Sequence, residues 1–248
     1  MGGEIDIKVV IPTAGRYDTI TTHKVVDNCI LCVPEEQEKF YRVSCPDTEI
    51  VTHPPLVGLG AKRNWIYEKF GHVFMLDDDC KGMRRMYSEN KEQDKVDSKT
   101  AYDLIQFTGN MCHMAGLYVF TFNRYAQPKN YHGHSPIKLK GLVYGQAMGW
   151  LAGSKIKMRN DIKCNNDIYL SLMNAYKHRM IWQDERFTFD FYGYGGNKGG
   201  LASVRTEEVE KNDFLLLKEM FGDAVATKKG TWDKKPKKPY ELVIKLPY

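Results

Sequence analysis

Short apolar runs separated by polar, glycine-bearing segments set the rhythm of the first 80 residues. Residues 5–11 alternate and then become continuously apolar, which predicts a central strand stopping at Pro12. Residues 29–33, 49–52 and 73–76 predict three more strands, each too short for a helix. Between them, residues 19–27 predict a short helix, and Pro34 followed by acids opens another. Residues 61–70 have helical spacing, with Ala61, Trp65, Ile66 and Phe70 inward and Gly71 as the stop. The resulting β-α-β-α-β-α-β alternation predicts an α/β, Rossmann-like fold with a mostly parallel central sheet flanked by helices.

The pattern loosens afterwards. Residues 81–100 read as a polar excursion, 101–114 as a helix, 117–122 as a strand and 123–137 as a loop. Residues 139–151 read as an apolar strand pair, with glycines where backbone or ligand comes close. From Asp167 onward helical spacing returns, with Ile168, Leu172 and Ala175 along one face. Residues 180–182 and 186–191 predict two further strands, 193–200 a glycine-rich loop bearing Lys198, 206–221 a helix and 241–245 a strand. No internal repeat is visible. The reading is one domain over 1–226, with a lysine-rich C-terminal segment, 227–248, packed on it or extending from it.

Composition changes this picture little. With 248 residues, 42% hydrophobic and 27% charged, the chain can bury a sizeable core. No apolar run approaches the roughly 20 residues that span a bilayer. The start lacks a secretion pattern, and Asp6 stands where myristoylation prefers Ser or Thr, so a cytoplasmic location (a host's cytoplasm, if viral) is expected. Six cysteines are scattered, and Cys29 and Cys32, three apart on a strand, face opposite sides, so reduced thiols are expected rather than a zinc or redox site. Net charge is +5, compatible with an anionic partner. Lys228, Lys229, Lys234 and Lys235 crowd the C-terminal segment among Trp232 and Tyr240. Such a run is a solvated face in most proteins, and the interleaved aromatics add a nucleic-acid reading.

Candidate chemistry centres on Asp77, Asp78 and Asp79, where a buried strand ends in three carboxylates. Ligands of open α/β sheets bind beyond strand carboxyl ends, and close-set like charges call for a cation or hydrogen bonds. A strand's period of two points Asp77 and Asp79 one way and Asp78 the other. The alternative is an acidic turn capping the next segment. After the first strand, Thr13-Ala14-Gly15-Arg16 supplies small residues for close approach and an arginine for phosphate or base, or else a plain loop capped by Thr13. Lys62 and Arg63 in a helix's first turn oppose its dipole unless an anion or the acid cluster reverses the sign. Asp167 stands at a helix start, as an N-cap or as a carboxylate held ionised. His132 and His134 read as surface residues in a loop rather than metal ligands.

Four pieces in order carry a resemblance: Val-Val-Ile-Pro-Thr-Ala-Gly-Arg at 9–16, Gly-Ala-Lys-Arg-Asn at 60–64, Phe-Met-Leu-Asp-Asp-Asp at 74–79 and Asn-Asn-Asp-Ile-Tyr-Leu-Ser-Leu at 165–172. Together, over most of residues 5–190, they resemble the GT-A fold nucleotide-sugar-dependent glycosyltransferases, particularly the family-2-like group. The resemblance implies that Pro12, Thr13, Ala14, Gly15 and Arg16 hold the nucleotide and that Arg63 faces the donor. It implies that Asp77 and Asp79 bind Mn2+ or Mg2+ on the diphosphate of a UDP-sugar, that Asp78 touches the donor, and that Asp167 serves as base. Asn166 departs from the family, which often has Glu there; in an enzyme that retains configuration Asp167 would position sugar or acceptor instead.

The chain is also similar to small phage-type glycosyltransferases that decorate hydroxymethylated pyrimidines in DNA. That implies a double-stranded DNA acceptor, with Lys198, Lys228, Lys229, Trp232, Lys234 and Lys235 as its contacts. Competing readings are a transferase acting on a glycan or small molecule, a sugar nucleotidyltransferase, whose glycine- and lysine/arginine-rich first loop is only faintly matched by Thr13 to Arg16, and a non-enzymatic nucleic-acid-binding module.

Overall fold

The computed structural model describes residues 3–88, 94–192, 204–230 and 239–246. The predicted strands at the start of the chain form, as β1 (Lys8–Pro12), β2 (Cys29–Pro34), β3 (Glu49–His53) and β4 (Val73–Leu76), with helices α1 (Glu38–Ser44) and α2 (Leu59–Phe70) between them. Then come β5 (Cys80–Arg85), β6 (Lys95–Val96), α3 (Ser98–Met114), β7 (Val119–Asn123), β8 (Ile137–Lys138), β9 (Ala147–Trp150), α4 (Asn166–His178) and β10 (Trp182–Phe191). The chain closes with α5 (Glu207–Phe221) and the pair β11 (Val225–Thr227) and β12 (Leu242–Ile244).

Among the described residues the main sheet has ten strands in the order β3-β2-β1-β4-β9-β7-β10-β5-β6, with β8 also paired to β10. The pairings set β3, β2, β1, β4, β7, β10 and β6 running one way and β9, β5 and β8 the other. The fold is thus α/β with a mixed sheet, seven of whose ten strands run one way, the Rossmann-like class that the alternation predicts. Both faces are covered, which explains why the early strands are continuous apolar runs. Val9, Ile11, Leu31, Phe74, Leu76 and Phe120 pack on one face with α3 residues Ala101, Ile105 and Cys112. Val10, Cys32, Val73, Met75 and Trp150 pack on the other with Ile66 of α2 and Leu170 of α4. Cys29 and Cys32 do fall on opposite faces, and all six cysteines are free and buried. A third cluster joins Tyr169 and Leu172 of α4 to Leu217 of α5 and Val225 of β11. The domain boundary expected at 226/227 falls inside β11. Among the described residues no helix is long and apolar enough to cross a membrane.

Several local expectations are corrected. Residues 19–27 contain only one 3-10 turn, Thr22–Lys24, because buried Thr22 spends its hydroxyl on the Asp77–Cys80 turn: it accepts from Cys80 N at 2.9 Å and donates to Asp77 O at 3.2 Å. The polar excursion contains a paired strand, β5 with β6, whose arginines keep their heads half-exposed. The apolar stretch 139–151 holds one strand rather than two, and 182–191 is one strand with a register shift rather than two strands. On α2 the fully buried positions are Gly60, Arg63 and Ile66, while Ala61, Trp65 and Phe70 are half-buried.

Candidate active site

β4 ends at Leu76, so the three aspartates occupy a turn, not a strand. The period of two therefore does not apply, and Asp77, Asp78 and Asp79 all line one cleft of about 1090 Å³. Pro12, Thr13, Ala14 and Arg16 line the same cleft. Gly15 supplies the turn at φ +67° and donates its N–H to Gln37 Oε1 at 2.7 Å.

Asp78 is the most tightly held of the three. Arg16 Nη1 pairs with its Oδ1, and Thr13 Oγ1 donates to its Oδ2 at 2.6 Å. With the Thr13 proton so committed, Tyr41 OH donates to Thr13 Oγ1 at 2.9 Å while accepting from Arg16 N at 3.1 Å. The acid turn and the first loop are thereby one unit. Asp77 faces Arg63 Nη2 at 3.6 Å, and Asp79 Oδ1 is buried with no hydrogen-bond partner. Burial, opposed by Arg63 and reinforced by Asp79 and Asp78, pushes the Asp77 carboxyl up to about 7. Burial and then the Asp78 charge raise Asp79 as well.

The turn thus carries more negative charge than its two arginines offset. That fits a divalent cation, which takes one or two carboxylates plus substrate phosphates. The protein alone does not cage one: among the described residues no group of three or more His, Cys, Asp or Glu is arranged to hold a metal. His132 and His134 lie with rings 5.7 Å apart on an exposed loop.

Arg63 stands behind the cleft rather than on its wall. Its side chain is buried, and Nη2 donates to Gly145 O at 2.5 Å as well as facing Asp77. Asp167, in the first turn of α4, is half-buried beside Gly145, where a Cβ would lie 2.8 Å from Asp167 Cβ. Its charge reaches Asp77, but it is not a wall residue. Lys228 and Lys229 also lie off the wall, and Lys228 pairs with Glu241 at 2.9 Å. Lys198, Trp232, Lys234 and Lys235 fall outside the described residues.

The wall includes Lys62, which the sequence singled out together with Arg63, and further residues that sequence reasoning missed. Lys62 reaches into the cleft and donates to Thr13 O at 2.9 Å, with burial lowering its pKa. The N-terminus of α2 opens there too: Gly58, Leu59 and Gly60 line the cleft, and the first turn holds no acid. Gly60 sits so close to α4 that a Cβ would meet Asn166 Oδ1 at 3.0 Å. The cations Lys62 and Arg63, set against the helix dipole, were the signal for this end. Arg124, Tyr125, Tyr144 and Tyr192 complete the far wall, and nothing in their local sequence marked them.

Fold and cleft together define a GT-A-type, Rossmann-like protein with its acidic turn at the carboxyl end of β4. The chain belongs to the TET-associated glycosyltransferase family, whose model matches residues 7–190. No curated protein matches it in sequence. Among solved structures it is similar to a UDP-glucose pyrophosphorylase complexed with UDP-glucose, at 9% identity and TM-score 0.41 over 87% of this chain and 100% of that one. A 4-diphosphocytidyl-2C-methyl-D-erythritol synthase from Anaerococcus prevotii gives 9% identity and TM-score 0.34 over 85% and 95%. Likenesses this remote carry no functional argument.

Proposed function

We propose that this glycosyltransferase moves a sugar from a nucleoside-diphosphate donor, a UDP-sugar, to the hydroxymethyl group of a modified pyrimidine in DNA. The observation that carries the reading is the acidic turn: three carboxylates braced by Arg16, Thr13 and Thr22, with an orphaned buried oxygen on Asp79, beside a helix N-terminus. Family membership supports the transfer of a sugar.

In this reading the Pro12–Arg16 loop approaches the nucleoside. The α2 N-terminus and Lys62 face the diphosphate, since backbone N–H groups and a nearby ammonium favour an anion. Asp77 and Asp79 would hold Mn2+ or Mg2+, which supplies charge neutralisation for the leaving diphosphate. Asp78, spent on Arg16 and Thr13, keeps the loop and turn in register. Arg63 positions Asp77 and the Gly145 carbonyl from behind. Asp167 sits off the wall behind Gly145; an acceptor hydroxyl that reaches past Gly145 gives it its proton as that oxygen attacks the anomeric carbon and the carbon–oxygen bond to the diphosphate breaks.

Calorimetry with a panel of nucleotide sugars, with and without manganese, tests the donor half. Manganese-dependent binding of a UDP-sugar by the wild type, lost in Asp79→Ala with unchanged circular dichroism, is the expected result. Metal-independent binding, or binding untouched by that substitution, would overturn it. For the acceptor half, transfer to hydroxymethyl-DNA falls steeply with salt. Equal activity on a small sugar acceptor at all salt levels counts against DNA.

A further inference from the structure

The sheet order places β4 and its acidic turn centrally, with β1, β2 and β3 on one side and β9, β7 and β10 on the other. The cleft crosses that midline. Its second side is walled by Arg124, Tyr125, Tyr144, Phe191 and Tyr192. Two of these rings are open to solvent: Tyr125 is 56% exposed and Tyr192 45%, and neither belongs to a core cluster. Each carries a cation on its face. The Arg124 guanidinium lies 5.7 Å from the Tyr125 centroid and 5.6 Å from that of Tyr144, and the Lys81 ammonium lies 4.7 Å from that of Tyr192.

Their backbones, by contrast, are pinned. Tyr125 N donates to Asn123 Oδ1 at 3.0 Å, and buried Asn123 is itself fixed by Glu185 Oε2 at 3.1 Å. Tyr192 N donates to Asp79 O at 3.2 Å, on the acidic turn itself. Exposed rings on anchored backbone, each beside a cation and both on the wall of the reaction cleft, match what a single nucleic-acid strand needs: π-faces for bases and positive charge for phosphates.

We propose that Tyr125 and Tyr192 form a stacking platform for a DNA acceptor whose target base is unstacked from its helix, with Arg124 and Lys81 facing the adjoining phosphates. The inference rests on the DNA-glycosyltransferase reading and adds how the acceptor is presented. A hydroxymethyl group on a base within a duplex cannot enter a cleft sunk beyond the strand ends unless the base leaves the stack.

The test is fluorescence anisotropy of the full chain with one labelled oligonucleotide bearing a single 5-hydroxymethylpyrimidine. It is presented as a single strand, as a perfect duplex, and as a duplex with an abasic site opposite the target. The single strand and the abasic duplex bind about tenfold more tightly than the perfect duplex, because extrusion is already paid in them. Tyr125→Ala and Tyr192→Ala each weaken single-strand binding about tenfold, while Tyr→Phe at either position retains it. Arg124→Ala lowers the slope of log affinity against log salt by about 0.7. Calorimetry with a UDP-sugar on the same variants reports an intact fold and donor site. Equal affinity for perfect duplex and single strand overturns the proposal, as do alanine variants that bind like wild type, or no DNA binding at all. Strand preference without any nucleotide-sugar binding would instead sink the donor reading and leave the platform standing.

Discussion

Asp213 on α5 is fully buried, and its carboxylate ties the C-terminal helix to the approach of α4. Oδ1 accepts from Lys163 N at 2.9 Å; Oδ2 accepts from Cys164 N at 2.8 Å, Asn165 N at 3.0 Å and Asn165 Nδ2 at 3.0 Å. Two residues later comes Asp167. Asp213→Ala leaves all four N–H donors without their acceptor at once. A buried donor left unpaired costs about 1–3 kcal/mol, and water reaches the half-exposed ones, so the sum is about 3–5 kcal/mol. For a chain of this size each kcal/mol moves Tm by about 2–4 °C, so the variant should melt about 6–20 °C lower. Asp213→Asn keeps the shape but turns an N–H toward one donor, and should fall between. The assay is thermal unfolding by circular dichroism, with transfer measured below both transitions. Because the lost bonds fix the backbone that carries Asp167, kcat should drop more than the donor KM rises in the folded Asp213→Asn protein. An Asp213→Ala protein melting within about 2 °C of wild type would refute this reasoning, given the 2–4 °C that each kcal/mol is worth.

Three other outcomes follow from the same structure. Gly149→Ala would set a Cβ 1.9 Å from Phe120 Cε1, inside the core, so urea unfolding should show a loss of about 3 kcal/mol or no folded protein. Gly145→Ala would press a methyl against Asp167 Cβ at 2.8 Å, so kcat should fall while calorimetric donor affinity holds; unchanged kcat removes Asp167 from the reaction. Burial pushes the thiols of Cys29, Cys80 and Cys112 up to about 12, which leaves them protonated at pH 8 in the folded state. Ellman's reagent should therefore label them only as the protein unfolds, and prompt labelling of the native protein would contradict their burial.

The early strands were legible because burial on both faces writes them as unbroken apolar runs, and the turn acids because three carboxylates after such a run have no core role. Element ends were harder. Thr22 sits in a helical-looking segment, yet its hydroxyl is used across the sheet on Cys80 N, a contact 58 residues away that no local pattern encodes. The division of labour within Asp77 to Asp79 depended on where β4 stopped: one residue past Leu76 the chain turns, and all three acids face the cleft. The resemblance implied a donor contact for Arg63, but its burial behind Asp77 is set by the packing of α2 on the Gly145 loop. Tyr125 and Tyr192 belong to segments 67 residues apart, joined only because β7 and β10 are neighbours in the sheet.

The most direct measurement of the central claim is mass spectrometry of nucleosides digested from hydroxymethylpyrimidine-containing DNA after incubation with the protein, a UDP-sugar and manganese. Wild type should yield a nucleoside heavier by one sugar residue, and Asp79→Ala, folded by circular dichroism, should yield none. Unmodified nucleosides from wild type across the nucleotide-sugar panel, or equal product from Asp79→Ala, would contradict the account.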